Sequence, residues 1–144
     1  TNQIINKKIN SALMEKLNVV FCIGESLNEK KKNKTFSILR NQIQGSISKK
    51  FDLKRIIIAY EPIWSIGTGK IPKAKELEKT LYYIKKYFRK IYKSKKFPTV
   101  LYGGSVNSKN INFFSKIREI DGFLIGGSSR SSKKFIDIIK NYYK

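Results

Sequence analysis

Three glycine-bearing turns are the parts of this sequence that could bind an anion. They read GTG at Gly67–Gly69 and GGS at both Gly103–Ser105 and Gly126–Ser128. Because glycine lets backbone N–H groups approach an anion closely, three such turns brought together favour a shared phosphate site. A single turn of this kind more often holds glycine only because its backbone needs a positive φ.

Glu61 is the candidate acid–base residue. It follows an apolar run and stands beside Pro62 and Trp64. Partial shielding from water would make a carboxylate at this place a stronger base near neutral pH. Without further context, a carboxylate at the end of a strand is more often simply paired with one of the many lysines of the chain.

The elements that must position these residues are four apolar runs, each followed by an amphipathic helix. The runs are Asn18–Ile23, Arg55–Tyr60, Pro98–Tyr102 and Asp121–Ile125. Continuous apolar runs are typical of parallel strands that helices cover on both faces. Alternation of strand and helix predicts right-handed crossovers and an α/β fold, in which ligands bind at the carboxyl ends of the strands.

Helical spacing of apolar residues predicts the intervening helices. One helix occupies the first seventeen residues, and a long helix runs from about Pro72 to Ser94. The apolar faces of the five helices are Ile5, Ile9, Ala12, Leu13 and Leu17; Phe36, Leu39, Ile43 and Ile47; Leu77, Leu81, Ile84, Phe88 and Ile91; Ile111, Phe114 and Ile117; and Phe135, Ile138, Ile139 and Tyr142.

Composition narrows the class of protein. The chain has 144 residues, 40% of them hydrophobic, and no apolar run near the roughly 18 residues that a membrane span needs. One cysteine and no histidine leave no internal disulfide and no zinc cluster. The net charge of +21 suits a nucleic-acid binder, but 26 lysines against 5 arginines is also what A/T-rich codons produce, and we favour that interpretation.

Four motifs in order carry a resemblance to a known family. The segment AYEPIWSIGTGK at Ala59–Lys70 resembles the catalytic loop of triosephosphate isomerases, and it stands among CIGES at Cys22–Ser26, LYGGSV at Leu101–Val106 and DGFLIGGSS at Asp121–Ser129. The resemblance implies a (β/α)8 TIM barrel, of which this chain carries about the last four βα units, strands five to eight. Residues 1–144 would then be a single partial domain, the C-terminal half of the barrel.

The resemblance also implies an activity. The family interconverts D-glyceraldehyde 3-phosphate and dihydroxyacetone phosphate through an enediol, without a metal or organic cofactor, and Glu61 matches its catalytic base. Gly67, Ser105, Gly126 and Gly127 match its phosphate-binding residues. Ser105 could also cap the helix that follows it.

The loop Pro62–Lys70 has small residues between rigid ends, which suits a lid that closes over substrate. Tyr102 either supports closure of this lid or belongs only to the core. We expect Cys22 to be a packing residue, Glu25 to form a structural ion pair near the site, and the basic stretch Lys85–Lys96 to be the solvated back of a helix.

The chain departs from the family pattern in what it lacks. The family's electrophilic His and its Asn and Lys belong to the first half of the barrel, and this sequence has no histidine. Ser129-Arg130 stands where the family has small and apolar residues. Thr1 is not an initiator Met, so we expect a piece of a longer protein, with exposed edge strands, that is inactive alone and is aggregated or dimeric.

The implied partner is a small phosphorylated triose, and the full-length parent would be a cytoplasmic homodimer of glycolysis and gluconeogenesis. Neither nucleic acid nor a membrane is expected as a partner. The alternative function is a non-catalytic half-barrel that binds phosphate or polyanions with its glycine turns and lysines.

Overall fold

A computed structural model describes residues 1–94 and 96–143 of the chain. Two predicted positions, Lys95 of the basic stretch and Lys144 at the end of the domain, lie outside the described residues. The helices are α1 Asn2–Met14, α2 Leu27–Lys31, α3 Thr35–Ser46, α4 Ala74–Tyr92, α5 Ile111–Phe114 and α6 Ser132–Tyr142; the strands are β1 Val19–Ile23, β2 Ile56–Tyr60, β3 Val100–Tyr102 and β4 Gly122–Phe123.

The strands form one parallel four-stranded sheet in chain order, β1-β2-β3-β4. The register sets Cys22 beside Ala59, and Tyr60 beside Tyr102. Each predicted apolar run contains a strand, so the prediction of an α/β fold is confirmed. The fourth run yields only two paired residues, and it leaves β4 as a short edge strand.

The core lies between the sheet and the helices on one of its faces. Phe21, Ile58, Val100 and Tyr102 point to this face and are buried with the helices. On the other face of β1, Val20 is 46% exposed and Cys22 is exposed. The expectation that helices cover both faces is therefore wrong for β1: its side chains alternate between a covered and an open face, as the pleat requires.

Helix α4 is the longest helix and the best predicted. Its stripe of Leu77, Leu81, Ile84 and Phe88 is buried against the sheet and α3. The basic residues of α4 are exposed as expected, except Lys85, which is 7% exposed and ion-paired with Asp121 at 2.8 Å.

Two of the predicted helices differ from expectation. Helix α1 ends at Met14, because Lys16 adopts a left-handed backbone with φ 59°, and Leu17 is exposed rather than on the apolar face of the helix. In α6 only Ile138 is buried, and Phe135, Ile139 and Tyr142 are exposed.

A short helix that the sequence pattern did not predict follows β1. Helix α2 begins with a capping box, in which the Ser26 hydroxyl accepts from the Glu29 N–H and the Glu29 carboxylate accepts from the Ser26 N–H. Among the helices that the structure describes, none is both long and apolar enough to cross a membrane.

Candidate active site

The five predicted site residues line one cavity of about 420 Å³ at the carboxyl edge of the sheet. Glu61 follows β2, Gly67 lies in the next loop, Ser105 follows β3, and Gly126 and Gly127 follow β4. They meet because the carboxyl ends of parallel strands share one edge of a sheet.

Close backbone approach fixes the position of Glu61. Its N–H donates to the Ile23 carbonyl at 2.7 Å, and a side chain at Gly24 would overlap the Glu61 carbonyl. A Cβ at Gly103 would lie 2.6 Å from the Glu61 Cγ, so glycine there leaves room for the carboxylate. Within the described part of the chain, no cation lies within ion-pair distance of Glu61, so the lysine pairing considered from the sequence is not formed.

Three of the glycines around the cavity face open space. Gly67 has a φ of 67°, a conformation that glycine adopts without strain. A Cβ at Gly67, Gly126 or Gly127 would meet nothing within 4 Å, so backbone at these positions is accessible to a ligand.

Two cations line the same cavity. Arg130 ends the 3-10 turn Gly127–Arg130, and Lys134 lies one turn into α6. Arg130 stood out in the sequence only as a departure from the family pattern, and Lys134 carried no signal among 26 lysines. Their charge makes the cavity favourable to an anion.

The loop Pro62–Lys70 is docked onto Ser105. The Gly69 N–H donates to the Ser105 Oγ at 3.1 Å, and that hydroxyl donates to the Ser65 carbonyl at 2.6 Å. Ser105 does not cap the helix that follows, because α5 begins at Ile111 with Asn110 as its N-cap. The capping role considered for Ser105 is therefore wrong.

Comparison with known proteins identifies the family. The model of the triosephosphate isomerase family matches residues 1–142. The chain belongs to the triosephosphate isomerase family. It is 40% identical over 144 residues to the triosephosphate isomerase of Geotalea uraniireducens and 41% identical over 146 residues to that of Borrelia garinii.

The same comparisons define how much of the family fold is present. The crystal structure of the triosephosphate isomerase from Bartonella henselae superposes with a TM-score of 0.88 and 29% identity, covering 100% of this chain and 59% of that chain. The alignment with the Geotalea protein includes 97% of this chain but only 57% of that protein, so the chain spans little more than half the length of its relatives. The predicted fold, part of a (β/α)8 barrel, is thus confirmed.

In this member of the triosephosphate isomerase family, Tyr102 contacts both the core and the loop. Its ring packs 4.8 Å from that of Phe114, and its hydroxyl lies 3.1 Å from the Ser65 Oγ. Burial raises the pKa of Tyr102 to about 12, against a smaller lowering by the Ser65 hydrogen bond. The hydroxyl is therefore protonated and can donate at neutral pH.

Glu25 anchors the start of the loop, but not through an ion pair. It is 1% exposed, and its carboxylate accepts from the Trp64 Nε1 at 2.9 Å and from the Tyr60 hydroxyl at 3.1 Å. Burial, followed by the Glu25 charge, raises the pKa of Tyr60. The prediction of an ion pair for Glu25 is wrong, because neutral donors satisfy this buried carboxylate. The nearby Lys30 Nζ instead lies over the Trp64 ring, 4.1 Å from its centroid.

Cys22 is not the buried packing residue that the sequence predicts. It is exposed on the open face of β1. Neighbouring atoms still shield its sulfur, so that burial, then the Glu61 charge and a hydrogen bond to Glu61, raise the pKa of the thiol to about 11. A thiol with so high a pKa is a weak nucleophile at neutral pH.

Metal ligands are not gathered at this site. Across residues 1–94 and 96–143, no group of three or more His, Cys, Asp or Glu side chains is placed to hold a metal ion. The cavity instead offers backbone N–H groups, two cations and one carboxylate, which suits an anionic organic substrate and proton transfer.

Proposed function

We propose that this chain supplies the catalytic base and the phosphate-binding backbone of a triosephosphate isomerase. The reaction would interconvert D-glyceraldehyde 3-phosphate and dihydroxyacetone phosphate. The observation that carries the proposal is that Glu61, Gly67, Ser105, Gly126 and Gly127 line one cavity. Family membership supports the isomerase over the alternative of a non-catalytic binder of polyanions.

Binding of the phosphate would fix the substrate. In this proposal the N–H groups of Gly67, Gly126 and Gly127 donate to the phosphate oxygens, and Ser105 lines the phosphate site beside them. Arg130 and Lys134 add positive charge at the edge of the same cavity. Holding the phosphate in one place brings the reacting carbons to the carboxylate, and orientation of this kind supplies much of an enzyme's rate.

Glu61 would move the proton. Its carboxylate takes a proton from the carbon next to the carbonyl, and the electron pair left on that carbon forms an enediolate. The protonated Glu61 returns a proton to the former carbonyl carbon, while the hydroxyl proton of the first carbon is transferred to the former carbonyl oxygen by a group outside this chain. No electron is lost or gained by the substrate overall. The negative charge on the enediolate oxygens needs a donor, and since this chain has no histidine, we place that donor among residues outside it.

The cellular setting belongs to the same proposal. We propose that the full-length protein acts as a cytoplasmic homodimer in glycolysis and gluconeogenesis, as its resemblance to the family implies. The mass of the protein by sedimentation, and its distribution after cell fractionation, test these two statements directly.

The test of the proposal compares Glu61→Gln with Glu78→Gln in the full-length protein. Glu78 is an exposed carboxylate on α4, so its replacement controls for the loss of one charge. Because removal of a general base typically costs about 10²–10⁴ in rate, we expect Glu61→Gln to lower kcat by at least about a hundredfold. Glu78→Gln should leave kcat unchanged.

Two measurements complete this test. Glu61→Gln should still bind inorganic phosphate with the affinity of the unmodified protein, because Glu61 does not hold the phosphate in this proposal. An unmodified full-length protein that binds phosphate but does not interconvert the two triose phosphates would exclude the isomerase and leave the polyanion binder.

A further inference from the structure

The Ser65 hydroxyl is the centre of the contacts that hold the loop Pro62–Lys70. Ser65 is 0% exposed, and it ends the 3-10 turn Ile63–Ser65. Its Oγ lies 2.6 Å from the Lys70 carbonyl, 3.1 Å from the Tyr102 hydroxyl and 3.3 Å from the Ser105 N–H.

The direction of each of these hydrogen bonds follows from the donor count. A carbonyl can only accept, so the single proton of the Ser65 hydroxyl goes to Lys70. The Tyr102 hydroxyl must then donate to Ser65, and the Ser105 N–H also donates to it. One donor and two acceptor positions of Ser65 are all used, which is the full capacity of a hydroxyl.

The contacts join three separate parts of the site. The bond to Lys70 ties the 3-10 turn of the loop to its carboxyl end. The bonds from Tyr102 and Ser105 tie the loop to the end of β3 and the turn that follows it, where phosphate is proposed to bind. Ser65 itself is not among the residues that line the cavity.

The neighbouring backbone leaves room for this arrangement. A Cβ at Gly104 would lie 2.6 Å from the Ser65 Oγ and would also overlap the Tyr102 hydroxyl. Only glycine at this position allows both hydroxyl groups to pack against the turn. The resemblance to the family marked Gly67 and Ser105, and it gave Ser65 no role.

We propose that Ser65 is a positioning residue that locks the loop Pro62–Lys70 in its docked position over the phosphate site. This inference rests on the proposed function and adds to it the side chain that selects the closed state of the loop. Without the Ser65 hydroxyl, the Tyr102 hydroxyl and the Lys70 carbonyl lose a buried hydrogen-bond partner. The docked conformation of the loop then becomes less stable relative to an open one.

The experiment uses the full-length protein and two matched variants, Ser65→Ala and Ser46→Ala. Ser46 is also 0% exposed, but its hydroxyl has no hydrogen-bond partner in the residues that the structure describes. Both variants remove one buried hydroxyl, and only Ser65→Ala removes the loop contacts. The probes are inorganic phosphate, titrated while the emission of Trp64 is followed, and a triose phosphate in steady-state turnover.

If Ser65 holds the loop in its docked position, its replacement should weaken phosphate binding. Loss of a buried hydrogen bond is expected to weaken phosphate binding by about tenfold in Ser65→Ala and to raise KM by a similar factor. Ser46→Ala should leave both quantities unchanged. Tyr102→Phe, which removes the donor to Ser65, should also raise KM, and the double variant should be no worse than the more affected single variant.

A merely structural role predicts a different pattern. It would lower kcat in proportion to the folded fraction, and it would leave KM and the affinity for phosphate, followed by Trp64 emission, unchanged. This result would overturn the inference. Unmodified protein that shows no isomerase turnover would refute the proposed function instead, and the phosphate titrations of the two serine variants would still decide whether Ser65 locks the loop.

Discussion

Cys22 and Glu61 share the open face of the sheet at the ends of neighbouring strands. Cys22 pairs in register with Ala59, and Glu61 lies two residues further along the same side of that strand. The Glu61 charge makes a second negative charge at Cys22 unfavourable, which adds to the effect of burial on the thiol. An exposed cysteine is thereby kept in its neutral form.

The raised pKa of Cys22 predicts slow alkylation. A thiol with a pKa of about 11 instead of 9.0 holds about a hundredfold less thiolate at pH 8, so native chain in dilute solution should react with iodoacetamide that much more slowly than denatured chain. The native rate should keep rising with pH toward 11, whereas the denatured rate should level near the ordinary value.

Glu61→Gln provides the internal check on this prediction. It removes the carboxylate but not the burial, so the thiol should react faster than in the unmodified chain and still more slowly than in denatured chain. Equal rates for native and denatured chain would show that neither cause acts on Cys22.

Among the elements, α4 and the segment that leads into β4 are joined by a partly buried ion pair. Lys85 of α4 lies 2.8 Å from the Asp121 carboxylate and 3.5 Å from that of Glu119. The second oxygen of Asp121 accepts from the Val100 N–H at 2.7 Å, which holds the start of β3. Because β4 has only two paired residues, these side-chain contacts help to hold it beside β3, as more backbone hydrogen bonds would in a longer strand.

Lys85→Ala should destabilise the protein far more than Lys86→Ala. Removing Lys85 leaves two partly exposed carboxylates without their cation, and loss of a hydrogen bond between charged groups costs about 2 kcal/mol. Lys86 is the next residue and is exposed, so its removal should change the free energy of unfolding by less than about 0.5 kcal/mol. Chemical denaturation of the full-length protein measures both; similar values for the two variants would contradict the role of the ion pair.

Local patterns in the sequence were enough to predict the elements and the rim of the site. The β-branched runs became β1 and β2, and the stripe of α4 is buried as its spacing indicates. Glu61 and Ser105 could be placed in one cavity because each lies within three residues of the carboxyl end of a strand. The fourth strand was overestimated, since only Gly122 and Phe123 pair with β3.

Contacts between distant positions could not be predicted in the same way. The fold brings Ser65 to Tyr102 and to Ser105, which are 37 and 40 residues away along the chain. It also brings Glu25 to Trp64, 39 residues away. Periodicity carries no information on such pairs. The sequence for this reason suggested an ion pair for Glu25, where the structure has an indole and a phenol as its donors.

On the scale of the whole molecule, the sheet has an open face at β1 and two free edges. β1 and β4 are the edge strands, and Val20 on the open face of β1 is 46% exposed. Apolar side chains of α6 are also exposed, among them Phe135 and Ile139. Surfaces of this kind associate in water. That the 144-residue chain alone is inactive stays a prediction.

We expect the 144-residue chain to self-associate through its open face. Sedimentation over a range of concentrations should show dimers or larger species. Val20→Lys, which places a charge on the open edge strand, should shift the chain toward the monomer. Ile4→Lys makes the same change on the exposed side of α1, where Ile4 is 54% exposed, and should not. Association that only Ile4→Lys abolishes would place the contact on α1 instead.

The strand order described above also bears on how the polypeptide can be assembled during translation. In the sheet that the structure describes, each strand hydrogen-bonds to the strands that precede and follow it in the chain. When β2, β3 or β4 leaves the ribosome, the strand with which it first pairs has therefore already been synthesised. β1, α3 and β2 contain their mutual contacts before β3 is synthesised. Within this sheet, each strand can therefore pair with the one before it as soon as it is synthesised.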